Sequence, residues 1–192
     1  MNLPNKLTLM RILLVPVVVL IMLCIDPKFC VINQASGLAL RDVLAFVVFA
    51  IASITDMLDG MIARKYNLIT SFGKFADPIA DKMLVNTLLI LLAVSGQANV
   101  IAVLLMVWRD LIVDGLRMTA SNKGKVVSAG FYGKLKTVLQ MIAIVFVLLR
   151  NWPFAALGLP VDQILLWAAC ACSLFSGYIY FMQLKNYVLE SM

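Results

Sequence analysis

Asp56, Asp59, Asp77 and Asp81, four of the ten acidic residues in a chain of 192, fall within a stretch of 26 residues. Residues three and four apart share a helix face, so a helical chain turns Asp56 with Asp59 and Asp77 with Asp81. If the helices that carry them are antiparallel neighbours joined by Lys65 to Lys74, all four carboxylates converge on one pocket. Four ionised carboxylates at close range repel, so protons or cations must hold them. Oxygen donors without histidine or thiolate favour a hard divalent ion, Mg²⁺, Mn²⁺ or Ca²⁺. Four negative charges match two such ions, and a two-ion site is suited to clamping a diphosphate during in-line displacement at phosphorus. Gly60, Ala63 and Gly73 let a helix or ligand approach closely, and Arg64 could neutralise a phosphate. Histidine is absent from the chain, which leaves proton transfer to carboxylates. Two other readings stay open on residue types alone. The segment 56–82 also holds Arg64, Lys65, Lys74 and Lys82, enough to pair every aspartate at a membrane interface, and a carboxylate cluster also suits the cation site of a transporter.

The elements that position these acids are apolar. The chain is 63% hydrophobic and 14% charged, with a mean hydropathy of +0.99, where a soluble chain is about 45–50% apolar and about 25% charged. That excludes a soluble domain. Six apolar segments are predicted to span a membrane: Leu7 to Ile25, Leu40 to Ala63, Asp81 to Val94, Val100 to Met118, Thr137 to Leu149 and Ile164 to Leu184. They are too long and too little alternating for barrel strands. The predicted fold is all-α, a bundle of about six transmembrane helices forming a single membrane domain over residues 1–192. The run Ile12 to Ile25 is expected to be a retained span, because no small-residue cleavage site follows it. The four cysteines read as small buried hydrophobes, since a Cys-x-Cys pair without histidine makes no zinc site.

Orientation follows from the basic residues. With the N-terminus inside, thirteen of the sixteen Lys and Arg lie on the cytoplasmic side and three, Lys28, Arg41 and Arg150, on the other. The prediction is a multi-pass protein of the cell membrane with both termini and the acidic site cytoplasmic. The net charge of +6 is then a match for anionic lipid, with no nucleic-acid partner expected.

The pattern Asp56-x-x-Asp59-Gly60-x-x-Ala63-Arg64, then eight residues, then Gly73-x-x-x-Asp77-x-x-x-Asp81 resembles the complete signature of the CDP-alcohol phosphatidyltransferase family. Further stretches resemble the branch that uses glycerol 3-phosphate as acceptor: Asn2-Leu-Pro-Asn5-Lys-Leu-Thr8-Leu-Met-Arg11, Trp108-Arg109-Asp110 with Asp114-Gly115-Leu116-Arg117, and Gly133-Lys134-Leu-Lys136-Thr137 with Gln140. The resemblance implies a homodimer of six-helix chains that moves the phosphatidyl group of CDP-diacylglycerol to glycerol 3-phosphate and releases CMP. Sibling acceptors, such as inositol phosphate, serine or a second lipid, are the alternative. It implies a divalent metal, Mg²⁺ or Mn²⁺, as two ions on Asp56, Asp59, Asp77 and Asp81, with Asp81 also the general base. Gly60, Ala63, Arg64 and Gly73 would surround the cytidine diphosphate, and Asn5, Thr8 and Arg11 would close that site.

Glycerol 3-phosphate carries a phosphate of its own, which calls for separate cations. At ~1.5 Å per residue, Asp110 lies ~20 Å and Arg117 ~30 Å from the turn near Gln97, while Asp56 and Asp59 lie ~24 and ~29 Å from Leu40. Arg109, Arg117, Lys134 and Lys136 are therefore expected to line an acceptor pocket at the depth of the aspartates, the arginines offering bidentate contacts.

Overall fold

The computed structural model describes residues 2–66, 70–122 and 130–189. Six helices follow one another: α1 (Leu3–Cys24), α2 (Leu40–Lys65), α3 (Ser71–Val94), α4 (Val100–Asn122), α5 (Phe131–Leu148) and α6 (Val161–Leu189). Each apolar run becomes a helix because hydrocarbon offers its backbone no other hydrogen-bond partner. The six-helix expectation holds. Four of the helices, α1, α2, α5 and α6, are long and apolar enough to cross a membrane on length and composition alone. The other two are interrupted by charges, Asp77, Asp81 and Lys82 on α3 and Arg109, Asp110, Asp114 and Arg117 on α4.

Several helices outrun their expected ends. α3 starts ten residues before Asp81, capped by Thr70, whose hydroxyl accepts from the Gly73 N–H at 3.0 Å. α5 starts at Phe131 rather than Thr137. At these ends polar residues continue the helix past the apolar run, so the run underestimates its length. Two small strands, β1 (Val31–Asn33) and β2 (Leu38–Ala39), pair antiparallel between α1 and α2. Cys170 is buried as expected, whereas Cys24 and Cys30 are exposed at the end of α1 and in the loop beyond it.

The helices group into two halves. α1 packs against both α2 and α3, and α6 packs against both α4 and α5. Shorter contacts of α3 with α4, and of α5 with α2 and α3, join the halves. Here the structure departs from the expectation that α2 and α3 are direct neighbours: α1 lies between them. The core is built from Val18, Phe49, Leu88, Leu92, Met106, Ile144, Leu148 and Leu166, with Ala45, Ala52, Ala102, Ala143 and Ala169 allowing close helix approach. Large apolar side chains such as Leu13, Leu20, Leu23, Ile101, Leu111 and Ile112 face outward, as suits a multi-pass membrane protein and not a water-soluble one.

Among the described residues, buried charge gathers around Arg11 with Asp59, around Asp110 with Lys136, and around Arg41 with Asp42. At the end away from the aspartates, Asp42 is fully buried and accepts from Gln97 Nε2 at 3.1 Å and Arg150 Nε at 3.0 Å. That network ties the start of α2 to the α3–α4 turn and the end of α5.

Candidate active site

α1 and α3 run in the same direction from the acidic end, and their sequences mesh in steps. Asn5, Thr8 and Arg11 recur every three residues on α1, while Gly73, Asp77 and Asp81 recur every four on α3. This is the pairing of a three-residue ridge with a four-residue groove that aligns two helices at a shallow angle. Asn5 Oδ1 accepts from the Thr70 hydroxyl at 2.9 Å, beside Gly73. A Cβ on Gly73 would stand 3.2 Å from Asn5 Oδ1 and 3.3 Å from Thr70 Oγ1, so the missing side chain is what lets α1 close on α3. The Thr8 hydroxyl lies 2.5 Å from Asp77 Oδ1 and 3.1 Å from the Pro4 carbonyl, and its single proton favours the nearer carboxylate.

Arg11 completes the series and reaches α2 as well. Nη1 donates to Asp81 Oδ1 at 2.6 Å and lies 3.0 Å from Asp56 Oδ1, while Nη2 donates to Asp59 Oδ2 at 2.5 Å. The arginine is 1% exposed, and its Nε has no hydrogen-bond partner among the described residues. Three carboxylates from two helices therefore share one guanidinium, a rigid fork able to bridge several acids at once. Asp56, Asp59 and Asp81 thus meet on Arg11, and Asp77 is held by Thr8 one turn earlier on the same helix, so all four acids are in contact with α1. The alternative in which nearby basic residues pair off the aspartates fails at Lys82, which forms its ion pair with Asp114 of α4. The side chains of Ala63, Arg64, Lys65 and Lys74 lie outside the described set.

The donors present fit a hard cation in kind: carboxylate oxygens only, with one oxygen of each acid taken by α1 and the other without a partner among the described residues. As arranged, the shared cation is the guanidinium, and no three acids among the described residues are spaced to hold an ion unaided. Beside them, a cavity of about 70 Å³ is lined by Arg11, Asp56, Asp81, Ser53, Thr137 and Met141 among others. Phe49, Ser53 and Met141 also border an apolar groove of about 360 Å³ between α2 and α5, with Ile54, Ile142 and Phe146 on its walls. The acidic site therefore adjoins a greasy channel on the flank of the bundle.

The four cations expected at an acceptor pocket divide into two pairs. Lys136 is buried, Arg109 is partly buried, and both are committed: the two amine–carboxylate contacts of Lys136 go to Asp110 at 2.7 Å. Arg109 donates to Asp110 at 2.8 Å, to the Ser173 carbonyl at 2.9 Å and to Ser176 Oγ at 2.7 Å. Lys134 and Arg117 are exposed at the acidic end. Lys134 precedes the cavity-lining Thr137 by one turn on the same face of α5, and Arg117 follows Asp114, the partner of Lys82, by one turn of α4. Lys123 and Lys125, counted with the cytoplasmic cations, lie outside the described residues.

Sequence reasoning passed over the seat of Arg109. Ser173, Ser176, Gly177 and Tyr180 form a stripe along α6, with the Tyr180 ring centroid 6.0 Å from Arg109 Cζ. A Cβ on Gly177 would come within 2.9 Å of Arg109 Cγ. The i, i+3, i+4, i+7 spacing of small and polar residues in an apolar helix was the available signal.

The sequence model of the CDP-alcohol phosphatidyltransferase family matches residues 1–175. A protein of Bacillus subtilis (strain 168) named CDP-diacylglycerol–glycerol-3-phosphate 3-phosphatidyltransferase is 41% identical over 181 residues, 94% of this chain and 93% of that one. A protein of Rickettsia typhi with the same name is 40% identical over 187 residues, covering 97% of this chain and 98% of its own length. One of Mycoplasma pneumoniae, also so named, is 39% identical over 149 residues, 74% of this chain and 66% of the relative.

Proposed function

The chain belongs to the CDP-alcohol phosphatidyltransferase family, and from that premise we propose that it transfers the phosphatidyl group of CDP-diacylglycerol to glycerol 3-phosphate, releasing CMP. The observation that carries the reading is the gathering of Asp56, Asp59, Asp77 and Asp81 by α1, next to an apolar groove that can take acyl chains. A lipid nucleotide needs both: acids that manage a diphosphate, and a greasy wall beside them. The enzyme works in the cell membrane, and we place the site and both termini on the cytoplasmic side, where the positive charge is concentrated. A homodimer is part of the same proposal.

The family uses a divalent metal; here we propose Mg²⁺ or Mn²⁺, as two ions on Asp56, Asp59, Asp77 and Asp81. When bound, the metal neutralises the diphosphate and the leaving group and so makes phosphorus easier to attack. With Arg11 included, the cluster carries three net negative charges, a strong attraction for such cations. Asn5, Gly60, Ala63, Arg64 and Gly73 frame the cytidine diphosphate, Gly73 by leaving room beside Asn5. Thr8 and Arg11 close that site by holding the acids, Arg11 also lining the cavity beside Asp56 and Asp81. The acceptor hydroxyl forms a new bond to the lipid-bearing phosphorus as the bond to CMP breaks, and its proton goes to Asp81 through the oxygen that Arg11 leaves free. Lys134 and Arg117 hold the acceptor phosphate, and the Arg109–Asp110–Lys136 cluster holds α4, α5 and α6 in place behind them.

The test is CMP release by purified protein given CDP-diacylglycerol, Mg²⁺ or Mn²⁺, and one acceptor at a time: glycerol 3-phosphate, inositol phosphate, serine or a lipid alcohol. Release with glycerol 3-phosphate is the expected result. Turnover with another acceptor and none with glycerol 3-phosphate overturns the assignment.

A further inference from the structure

A second polar site lies at the opposite end of the bundle from the aspartates. A cavity of about 420 Å³ opens there between the α3–α4 turn, the end of α5 and the start of α6, within the range of about 300–1,000 Å³ usual for ligand sites. Arg150 and Gln97 line it, as do Asn151, Ala155 and Asp162. Arg150 sits where a Schellman motif closes α5: its N–H donates to the Val147 carbonyl at 3.0 Å, and that of Asn151 donates to the Phe146 carbonyl at 2.8 Å. Its φ is +52° and that of Asn151 +59°, left-handed backbone that favours glycine. The Asn151 side chain holds the turn, since its Nδ2 donates to the Leu159 carbonyl at 2.6 Å and its Oδ1 accepts from the Asp162 N–H at 3.3 Å. Strained backbone that its surroundings hold in place marks functional positions. Here the strain puts a guanidinium where the helix would more easily end on glycine.

That guanidinium is not used up by its partner. Asp42 accepts from Arg150 Nε at 3.0 Å and also lies 3.4 Å from Arg41 Nε, so two guanidiniums and one carboxylate leave one positive charge. Arg150 Nη1 and Nη2 have no hydrogen-bond partner among the described residues, and the side chain is 27% exposed. Unpaired acceptors stand beside it. Gln97 is 7% exposed and gives its Nε2 to Asp42, yet its Oε1 has no partner among the described residues, and Asp162 is engaged by Gln163 through Oδ2 alone. Trp152, Leu157 and Leu159 are exposed on the same α5–α6 connection, an aromatic and aliphatic rim suited to the level of lipid headgroups.

We propose that this cavity binds the headgroup of a membrane phospholipid in the leaflet opposite the aspartates, its phosphate on the free Arg150 nitrogens and a headgroup hydroxyl or ammonium on Asp162 and Gln97 Oε1. A guanidinium fork matches phosphate oxygens in pairs, while the unpaired acceptors select headgroups that carry a hydrogen-bond donor. The site is separate from the acid cluster and does not rest on the transferase reading.

The test is native mass spectrometry of the delipidated full chain in detergent, for the unaltered protein, Arg150→Gln and Ala155→Phe. Each is titrated with dihexanoyl phosphatidylethanolamine, phosphatidylglycerol or phosphatidylcholine, or with inorganic phosphate. The expected result is a one-to-one adduct with phosphatidylethanolamine or phosphatidylglycerol, weakened about tenfold or more in Arg150→Gln. Ala155→Phe fills the cavity, keeps the Arg150–Asp42 pair and should abolish the adduct. An adduct as strong in either folded variant as in the unaltered protein overturns the proposal, with thermal unfolding as the check on folding. Should one variant fail to fold, the other decides by the same criterion. Phosphate bound as tightly as the lipids overturns the lipid assignment in favour of a free anion. Phosphatidylcholine bound as tightly overturns the role of the acceptors, because choline offers them no donor. No adduct with any lipid overturns the site itself.

Discussion

Replacing Asp110 tests whether Arg109 and Lys136 are framework or acceptor ligands. Asp110 is 5% exposed and Lys136 7%, and the lysine amine has both carboxylate oxygens at 2.7 Å. Asp110→Ala leaves that ammonium buried with no counter-charge, a loss of about 3–5 kcal/mol. In a chain of this size each kcal/mol moves the unfolding midpoint by about 2–4 °C, so the expected fall is about 6–20 °C. Lys136→Met is milder: Asp110 keeps Arg109 at 2.8 Å and methionine fills most of the lysine's volume. The double variant should recover about 1–3 kcal/mol relative to the sum of the single ones, since the stranded ammonium is gone. Thermal unfolding in one detergent at one scan rate measures all three, and the KM for glycerol 3-phosphate is measured on Lys136→Met below its midpoint. The expected outcome is lowered stability, in the order Asp110→Ala worst, with an unchanged KM. Equal stability for Asp110→Ala and Lys136→Met, or a tenfold rise in KM without loss of stability, refutes the framework role and restores Lys136 to the acceptor phosphate.

Asp81→Asn should reduce kcat by about 10²- to 10⁴-fold while CDP-diacylglycerol still binds, as expected for loss of a general base; near-normal turnover would show that the proton goes elsewhere. Arg117→Ala should raise the KM for glycerol 3-phosphate about tenfold with little change in kcat, the sign of a lost ground-state contact, and an unaltered KM removes it from the acceptor pocket. Gly73→Ala puts a methyl group 3.2 Å from Asn5 Oδ1 and 3.3 Å from the capping Thr70 hydroxyl. Either the cap or the asparagine must yield, so the midpoint should drop by about 2–4 °C, equivalent to about 1 kcal/mol, with a higher KM for CDP-diacylglycerol; identical midpoint and KM would mean that α1 does not close on α3 as described.

The apolar runs made six helices legible, and the three- and four-residue spacing put each pair of aspartates on one face. Packing order was not legible in the same way. α2 and α3 are joined by a short connection, which favours treating them as neighbours, yet α1 separates them because its own polar stripe, Asn5, Thr8 and Arg11, has partners on both. Those three residues were noticed, but spacing along one helix does not reveal which helix it faces. The surroundings of Arg109 and Lys136 were illegible for a related reason. Depth along a helix says nothing of direction around its axis: both meet Asp110 of α4, and Arg109 also reaches Ser173 and Ser176 of α6.

The seam between the two halves decides how the site can work. The acids belong to the half made of α1, α2 and α3, while the exposed cations Arg117 and Lys134 belong to α4 and α5. The proposed attack on phosphorus would need both held in fixed register to within a fraction of an ångström, although the halves touch only over short stretches. At the acidic end the Lys82–Asp114 ion pair crosses the seam next to Asp81. At the far end Asp42 of α2 does so by accepting from Arg150 beyond α5. Between these ends, α2 and α5 leave a groove open to lipid. Under the proposed transferase reading, a seam pinned at both ends and open in the middle would admit a two-chained donor from the side without parting Asp56, Asp59, Asp77 and Asp81 from Arg117 and Lys134.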